Sequence, residues 1–326
     1  MRTKLLAVSL ATLLCFGFLT SAYSQADKYP NKPVQIVVPH RAGGGIDRFI
    51  RMLAEELTKT WNVSINIINK PGAGGAIAGS DVANAANDGY MVLGGLLNLL
   101  TSMTVGNPTG PVNLQRDYDP LSIFYGYASV VLVTKNDSEF KSIEDVVSYA
   151  KKKPGELVCG TSQVGTTFYL NAMLLNRYAK IDITILPLRG SSEITPQVLG
   201  GHIQLGYLSD VAARSYISAD RMRPLAVDIK SSVVDVPTFG DKGYKDINLV
   251  SSIGIFGPKG MPAPVLQTWE NTLNAIMKDP KFIDAATKMG YNLNPVIEPG
   301  KLNKLVKDEI EKYSRFTPEE LGWKKK

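Results

Sequence analysis

The chain has 326 residues, 44% hydrophobic and 20% charged, with a net charge of +6. That is globular composition with ample material for a core, and the length suggests about two domains. No basic patch interleaved with aromatics is present, so nucleic acid is not an expected partner, whereas the mild positive balance is compatible with an anionic ligand.

The chain opens with a basic stretch, Met1-Arg2-Thr3-Lys4, followed by an apolar run from Leu5 to Thr20 and small residues at Ser24 and Ala26. This reads as a cleavable signal peptide over residues 1–26, with the mature chain starting at Asp27. Leu14 precedes Cys15 where a lipoprotein site needs a small residue, and no later stretch reaches the roughly 20 apolar residues of a membrane span. Loss of Arg2 and Lys4 leaves a net charge of +4, and Lys324-Lys325-Lys326 reads as a solvated tail. One cysteine then remains, Cys159, so no intramolecular disulfide is expected. In Leu157-Val158-Cys159-Gly160 it reads as a packed small side chain.

Val34-Gln35-Ile36-Val37-Val38 reads as a buried strand. Pro39-His40-Arg41-Ala42-Gly43-Gly44-Gly45-Ile46-Asp47 follows, and Ile50, Leu53, Ala54, Leu57 and Trp61 then recur at helical spacing. Glycines at a strand-to-helix turn permit a sharp bend and close approach to the main chain, and the helix start offers unpaired N–H groups to an anion. The device repeats: strand Ile65–Ile68, then Asn69-Lys70-Pro71-Gly72-Ala73-Gly74-Gly75-Ala76, then a helix rich in small residues. Met91–Leu93 is a third strand, Gly106–Pro111 a loop, and Tyr118-Asp119-Pro120 ends this portion. The alternation predicts an α/β unit with a largely parallel sheet.

A new portion begins at Ser129-Val130-Val131-Leu132-Val133. Ser142 caps a helix from about Ile143 to Lys153, stopped by Pro154-Gly155. Strand Leu157–Cys159 leads into a third small-residue turn, Gly160-Thr161-Ser162-Gln163-Val164-Gly165-Thr166-Thr167, and a helix with Leu170, Met173 and Leu174. Further strands are read at Ile183–Leu186, ending in Pro187-Leu188-Arg189-Gly190, at His202–Leu208, at Pro224–Val227 and at Ile253–Phe256. Three helices, marked by Val265/Trp269/Leu273, Phe282/Ala285/Met289 and Leu302/Leu305/Val306/Ile310, complete the chain.

Reactive chemistry is sparse. His40 and His202 are the only histidines, which excludes an HExxH zinc site or a multi-histidine cage. Gly160-Thr161-Ser162-Gln163-Val164 departs from a G-x-S-x-G elbow at its last position, and no spacing supports a triad of Ser162, His202 and Asp210. Gly72-Ala73-Gly74 fails the dinucleotide fingerprint because the sixth position is Ile77. No enzyme, cofactor or metal is expected. An exported α/β chain with several glycine turns and little reactive chemistry fits a solute-binding protein whose ligand lies in an interdomain cleft.

Several segments carry a specific resemblance. They are Tyr29-Pro30-Asn31-Lys32-Pro33-Val34, Val37-Val38-Pro39 with Gly43-Gly44-Gly45-Ile46-Asp47, Asn69-Lys70-Pro71-Gly72-Ala73-Gly74-Gly75, and Asp88-Gly89-Tyr90. Tyr149-Ala150-Lys151 with Pro154-Gly155, Leu199-Gly200-Gly201, Val236-Pro237-Thr238 and Gly257-Pro258-Lys259-Gly260-Met261-Pro262 continue the series. Together they resemble, in order, the substrate-binding proteins of tripartite tricarboxylate transporters, the Bug family.

The resemblance implies a periplasmic α/β protein of the two-domain, type II Venus-flytrap fold, with the chain crossing between domains twice. The expected division is 27–126 plus 249–326 for domain 1 and 127–248 for domain 2. It implies that Gly43, Gly44, Gly45 and Asp47, with Gly74, Gly75 and Ala76, hold one carboxylate of a small organic acid. Asp47 itself is expected to fix its turn by accepting from loop N–H groups, since like charges repel. The second-domain turn corresponds to Thr161, Thr166 and Tyr169, with Gln163 in place of a Gly and Tyr169 in place of a His. Leu208 stands where many members carry Asp, followed by Ser209 and Asp210. The ligand expected is a C4–C6 dicarboxylate or an aromatic carboxylate rather than an amino acid. Partners are the membrane subunits of a tripartite transporter or, alternatively, a sensor histidine kinase, and a monomer is expected.

Overall fold

The structure, a computed structural model, describes residues 29–231, 233–291 and 295–323, apart from the side chains of 125–128. The expected signal peptide and the lysine tail lie outside the described residues. Two sheets organise the rest.

The first sheet has the order β11-β4-β10-β3-β1-β2. Its strands are β1 (Val34–Val38), β2 (Ile65–Asn69), β3 (Met91–Leu96), β4 (Tyr118–Ala128), β10 (Ser251–Pro258) and β11 (Pro295–Val296). β1 pairs parallel with β2 and β3, while β10 runs antiparallel to both β3 and β4. Strand side chains alternate between faces. Val34, Ile36, Val38, Val92, Ile253 and Ile255 therefore enter one core, with α1 (Gly45–Trp61) and α9 (Ala263–Ile276). Val37, Leu93, Ile123 and Phe256 enter the core on the other face, with α2 (Ala76–Ala83), α3 (Leu97–Gly106) and α11 (Pro299–Tyr313). α1 is helical because Phe49, Ile50, Leu53 and Leu57 form one fully buried stripe. It stops at Asn62, which is left-handed at φ 56° and donates its N–H to the Thr58 carbonyl.

The second sheet has the order β7-β6-β8-β5-β9. It comprises β5 (Val130–Lys135), β6 (Val158–Thr161), β7 (Thr184–Pro187), β8 (Leu205–Ser209) and β9 (Met222–Val227). Leu132, Cys159 and Tyr207 face one core with α5 (Ile143–Lys152) and α6 (Thr167–Ala179). Val131, Val133, Leu208 and Val227 face the other with α7 (Ser191–Leu199) and α8 (Asp210–Ser218). The Ser142 cap is present as a full capping box with Asp145. Cys159 is buried, and burial pushes its thiol pKa up.

The structure departs from the sequence expectation in two places. The sequence reads no strand at Tyr118-Asp119-Pro120, yet β4 is an eleven-residue strand that runs through Pro120. Pro120 lies beyond the part of β4 that pairs with β11, and at a register shift against β10, where a missing N–H is tolerated. The C-terminal end also does not stay with the first sheet. Tyr313, Phe316 and Leu321 are buried in the α5/α6 core of the second sheet. Glu320 pairs with Arg177 of α6 at 2.6 Å, while Ser102 of α3 donates to the Leu321 carbonyl at 3.3 Å. The chain thus passes between the sheets at Ser129, at 228–250 and again after α11.

Candidate ligand cleft

A cleft of about 930 Å³ lies between the two sheets. Two turns of the first sheet form one rim, contributing Pro39, His40 and Arg41 after β1 and Pro71 to Gly75 after β2. α3 adds Asn98 and Leu99. The opposite rim consists of Ser162, Gln163, Thr166, Thr167 and Phe168 after β6, with Arg189 and Ser192 after β7. All four turns follow the carboxyl end of a strand, where open α/β sheets bind ligands.

The first rim is pinned from beneath. Asp47, 1% exposed, accepts from the Gly43 N–H at 2.8 Å, from Arg51 Nε at 2.9 Å and from Asn69 Nδ2 at 2.8 Å. Burial acts to raise its carboxyl pKa, but these hydrogen bonds outweigh it and hold the value down to about 2. Asn69 also donates to the His40 carbonyl at 3.0 Å, so one side chain joins both glycine turns. The second turn is a short 3-10 segment, Ala73–Gly75, with Gly74 at φ 62° and Gly75 at φ 97°. A Cβ on Gly75 would lie 2.9 Å from Leu99 Cδ2 and 3.3 Å from Pro39 Cβ, so this turn packs on the first through a bare backbone. Gly44, at φ −71°, occupies ordinary extended backbone and needs no glycine for its conformation.

The second rim is held by hydroxyls. Thr166 caps α6, Ser162 Oγ donates to Thr166 Oγ1 at 3.1 Å, and Thr166 Oγ1 donates to the Gln163 carbonyl at 2.6 Å. Glu193 accepts from the Arg189 N–H at 2.8 Å and fixes the turn before α7.

Of the residues the sequence singled out, Gly74, Gly75 and Thr166 line the cleft. Gly43 and Gly44 are exposed on the first turn, and Gly45 opens α1, its carbonyl accepting from Tyr291 Oη at 2.8 Å. Ala76 starts α2, half-buried. Asp47 supports its turn from the core side. Thr161 is buried at the end of β6, and Tyr169 packs against the α5/α6 core. Leu208 does not line the cleft: β8 turns it into the core with Val131 and Ile194. Ser209 caps α8, accepting from the Ala212 N–H at 3.3 Å. Ser162, His202 and Asp210 form no triad, because Asp210 accepts from Ser231 at 2.6 Å and His202 is exposed at the far end of α7.

Sequence reasoning missed His40, Arg41, Asn98 and Arg189 as cleft residues. Arg41 and Arg189 each stand in a turn after a strand end, with a glycine one or two residues on (Gly43 and Gly190), the same signal that marked the glycine turns. Asn98 is 3% exposed and its Oδ1 has no partner among the described residues. Burial lowers the His40 pKa to about 4, so the ring is neutral near pH 7.

Two three-layer α/β lobes with a polar cleft between their strand ends define a periplasmic solute-binding fold. The model of the tripartite tricarboxylate transporter family receptor matches residues 49–321, and the chain belongs to that family. It is 27% identical over 319 residues to BugT of Bordetella pertussis, covering 96% of each chain. It is 28% identical over 297 residues to a protein from the tcbD-tcbE intergenic region of a Pseudomonas species, covering 90% of this chain and 88% of that one. Among solved structures, the periplasmic binding protein BugD superposes with a TM-score of 0.72 at 26% identity, covering 88% of this chain and 97% of that one. Rpa4515 of R. palustris, solved with adipate, shares the fold at a TM-score of 0.77 and 24% identity, covering 90% and 98%. The family is one of receptors rather than enzymes. No helix among the described residues is long and apolar enough to cross a membrane.

Proposed function

We propose that this protein captures a small organic carboxylate in the cleft between its lobes and delivers it to the membrane subunits of a tripartite transporter. The observation that carries the reading is the lining of the cleft. It contains two arginines, one glycine turn leading into a helix start and several hydroxyls, and no acidic side chain. Such a surface supplies donors to an anion and no carboxylate to pair with a cation. The turn carrying Gly74 and Gly75 and the turn carrying Gly43, Gly44 and Gly45 would take one carboxylate through main-chain N–H groups. Adipate in Rpa4515 and malate in MatC, which shares the fold, agree with a carboxylate ligand.

The proposal includes export through the signal peptide to the periplasm. It includes a division into one lobe around the first sheet, 27–126 with 249 to about 312, and one around the second, 127–248 with the C-terminal segment. Native mass spectrometry of protein freshly purified from periplasm tests the reading, backed by a thermal-shift panel of carboxylic acids, amino acids and sugars. A co-purified acid, or stabilisation by acids, is expected. Stabilisation by glucose and by no acid would overturn it.

A further inference from the structure

The turn between β6 and α6 has two sides. Its front, with Ser162, Gln163 and Thr166, lines the cleft. Its back rests on the C-terminal segment. Gly165 is left-handed at φ 81°, and a Cβ there would collide with the Leu321 carbonyl. A Cβ on Gly322 would lie 3.5 Å from the Val164 carbonyl, so each backbone meets the other through a glycine. The same Cβ on Gly165 would lie 3.4 Å from Ser102 Oγ, the group that donates to the Leu321 carbonyl. One point therefore joins the cleft turn of the second lobe, the C-terminal segment and α3 of the first lobe. On α3 the spacing is regular: Asn98, Ser102 and Gly106 recur every four residues and share one face of the helix. The first lines the cleft, the second bonds the C-terminal segment and the third lies under the Trp323 indole.

The segment takes its shape from the second lobe. The Thr317 N–H donates to Glu320 Oε2 at 2.8 Å and the Glu320 N–H donates to Thr317 Oγ1 at 3.2 Å, a reciprocal box that closes the turn. Glu320 Oε1 pairs with Arg177 of α6 at 2.6 Å, and Phe316 and Leu321 are buried in the α5/α6 core. By contrast α11, which leads into the segment, buries Leu302 and Val306 in the first lobe. We propose that residues 317–323 are a brace: they seat α3 of the first lobe against the cleft turn of the second and set the resting angle between the lobes. The chain crossings at Ser129 and at 228–250 leave rotation about the line through them free, and a third attachment restrains it. Affinity follows from the angle. A cleft whose rims face each other correctly in only a fraction of molecules binds more weakly by that fraction. Ser102, Leu321 and Trp323 line no part of the cleft, so they are positioning residues that act through the turn and the helix that do. The effect on affinity rests on the carboxylate reading above, whereas the effect on the angle does not.

The experiment measures the angle directly on the full chain from Asp27. Its one cysteine, Cys159, is buried, so spin labels attach only where cysteines are placed. Lys59→Cys on α1 and Lys152→Cys on α5 put one label on an exposed site of each lobe. Double electron–electron resonance without ligand then gives the distribution of distances between them. Ser102→Ala combined with Trp323→Ala releases α3 from the brace and keeps Phe316, Glu320 and Leu321 in place. Leu57→Ala, which opens a cavity inside the first lobe, is the control for lost stability. The distribution is expected to broaden and shift in the released protein and to match wild type in Leu57→Ala. Ser102→Ala alone is the milder arm and should move the distances in the same direction. Calorimetry with adipate and malate on the same proteins should show binding about fivefold weaker in the released protein and unchanged in Leu57→Ala. Superimposable distributions in wild type and the released protein would overturn the brace, and so would changed distances with unchanged affinity. If wild type binds no acid of the panel, the carboxylate reading falls, and the distances still decide the brace.

Discussion

The two rims of the cleft are built in opposite ways. The first is main chain on display: glycine turns whose conformation is dictated from below by one buried carboxylate, Asp47, and one shared amide, Asn69. The second is side chain on display: Ser162, Gln163, Thr166 and Arg189, held by hydroxyl contacts and by Glu193 on the Arg189 N–H. A main-chain rim can recognise only what every member of a ligand class shares. A side-chain rim can be altered one residue at a time without disturbing a buried network. The difference predicts that substitutions at the first rim are felt as lost stability, and those at the second as lost or altered binding.

The sharpest way to break this contrast is Asp47→Ala. It removes acceptors for three donors at 2.8–2.9 Å, leaving the Gly43 N–H without a partner and the Asn69 Nδ2 with the His40 carbonyl alone. A loss of about 4 kcal/mol of unfolding free energy is expected, with Asp47→Asn in between. Urea denaturation measures it, and an unchanged midpoint would remove the carboxylate as the pin of the first rim.

His40 supplies the next effect. The unfolded ring titrates near 6.5, whereas the folded ring, its charged form disfavoured by burial, titrates near 4. As pH falls through that window the unfolded chain takes up a proton that the native chain refuses. Stability therefore declines from about pH 6.5 to about pH 4, by on the order of 2–3 kcal/mol, and levels off below. Asp210 and Asp228, whose carboxyls burial pushes up, act in the opposite sense within part of this window. The His40 share is thus read as the difference between wild type and His40→Phe across a pH series of denaturation curves. Parallel curves would place the imidazole in water.

Glycine substitutions divide the first rim itself. Gly75→Ala meets both a left-handed φ of 97° and Leu99 Cδ2 at 2.9 Å, and about 2 kcal/mol should be lost. Gly44→Ala, at φ −71° with the Arg41 carbonyl at 3.4 Å, should cost less than about 0.5 kcal/mol. Thermal denaturation of the pair tests this, and equal losses would mean that backbone conformation does not decide the cost.

A modest effect on stability is expected on the second rim. Thr166→Val removes the α6 cap and the contacts to Ser162 and Gln163, for about 1 kcal/mol. The same variant should weaken ligand binding by more than it weakens the fold. If the fold suffers as much as in Asp47→Ala, the two rims are alike and the comparison fails.

Much of this was legible in the chain. β1, the Gly43–Gly45 turn and the α1 stripe read directly because period 2, glycines and period 3.6 follow one another without interruption. The role of Asp47 followed from its place in the first turn of a helix beside loop N–H groups. Other features had no local signature. β4 was hidden because Pro120 near its start reads as a terminator, and only its pairing shows why it is tolerated. Arg41 and Arg189 are far apart in sequence, and nothing but the fold brings them to one cleft. Leu208 was placed by analogy at the end of β8, where strand alternation turns it inward. The burial of Phe316 and Leu321 was unreadable because charged residues and Pro318 surround them without periodicity.

That C-terminal segment also gives the molecule an optical property. There are three tryptophans, and two of them, Trp61 and Trp269, sit edge to face at 4.7 Å in the interior of the first lobe. The third, Trp323, packs against the cores of both lobes at once, its indole seated over Gly106 of α3. Any change in the angle between the lobes must alter the surroundings of that one ring, while the edge-to-face pair travels with its own lobe. Intrinsic emission of the unlabelled protein therefore carries a reading of lobe geometry. Trp323→Phe converts the protein into its own blank.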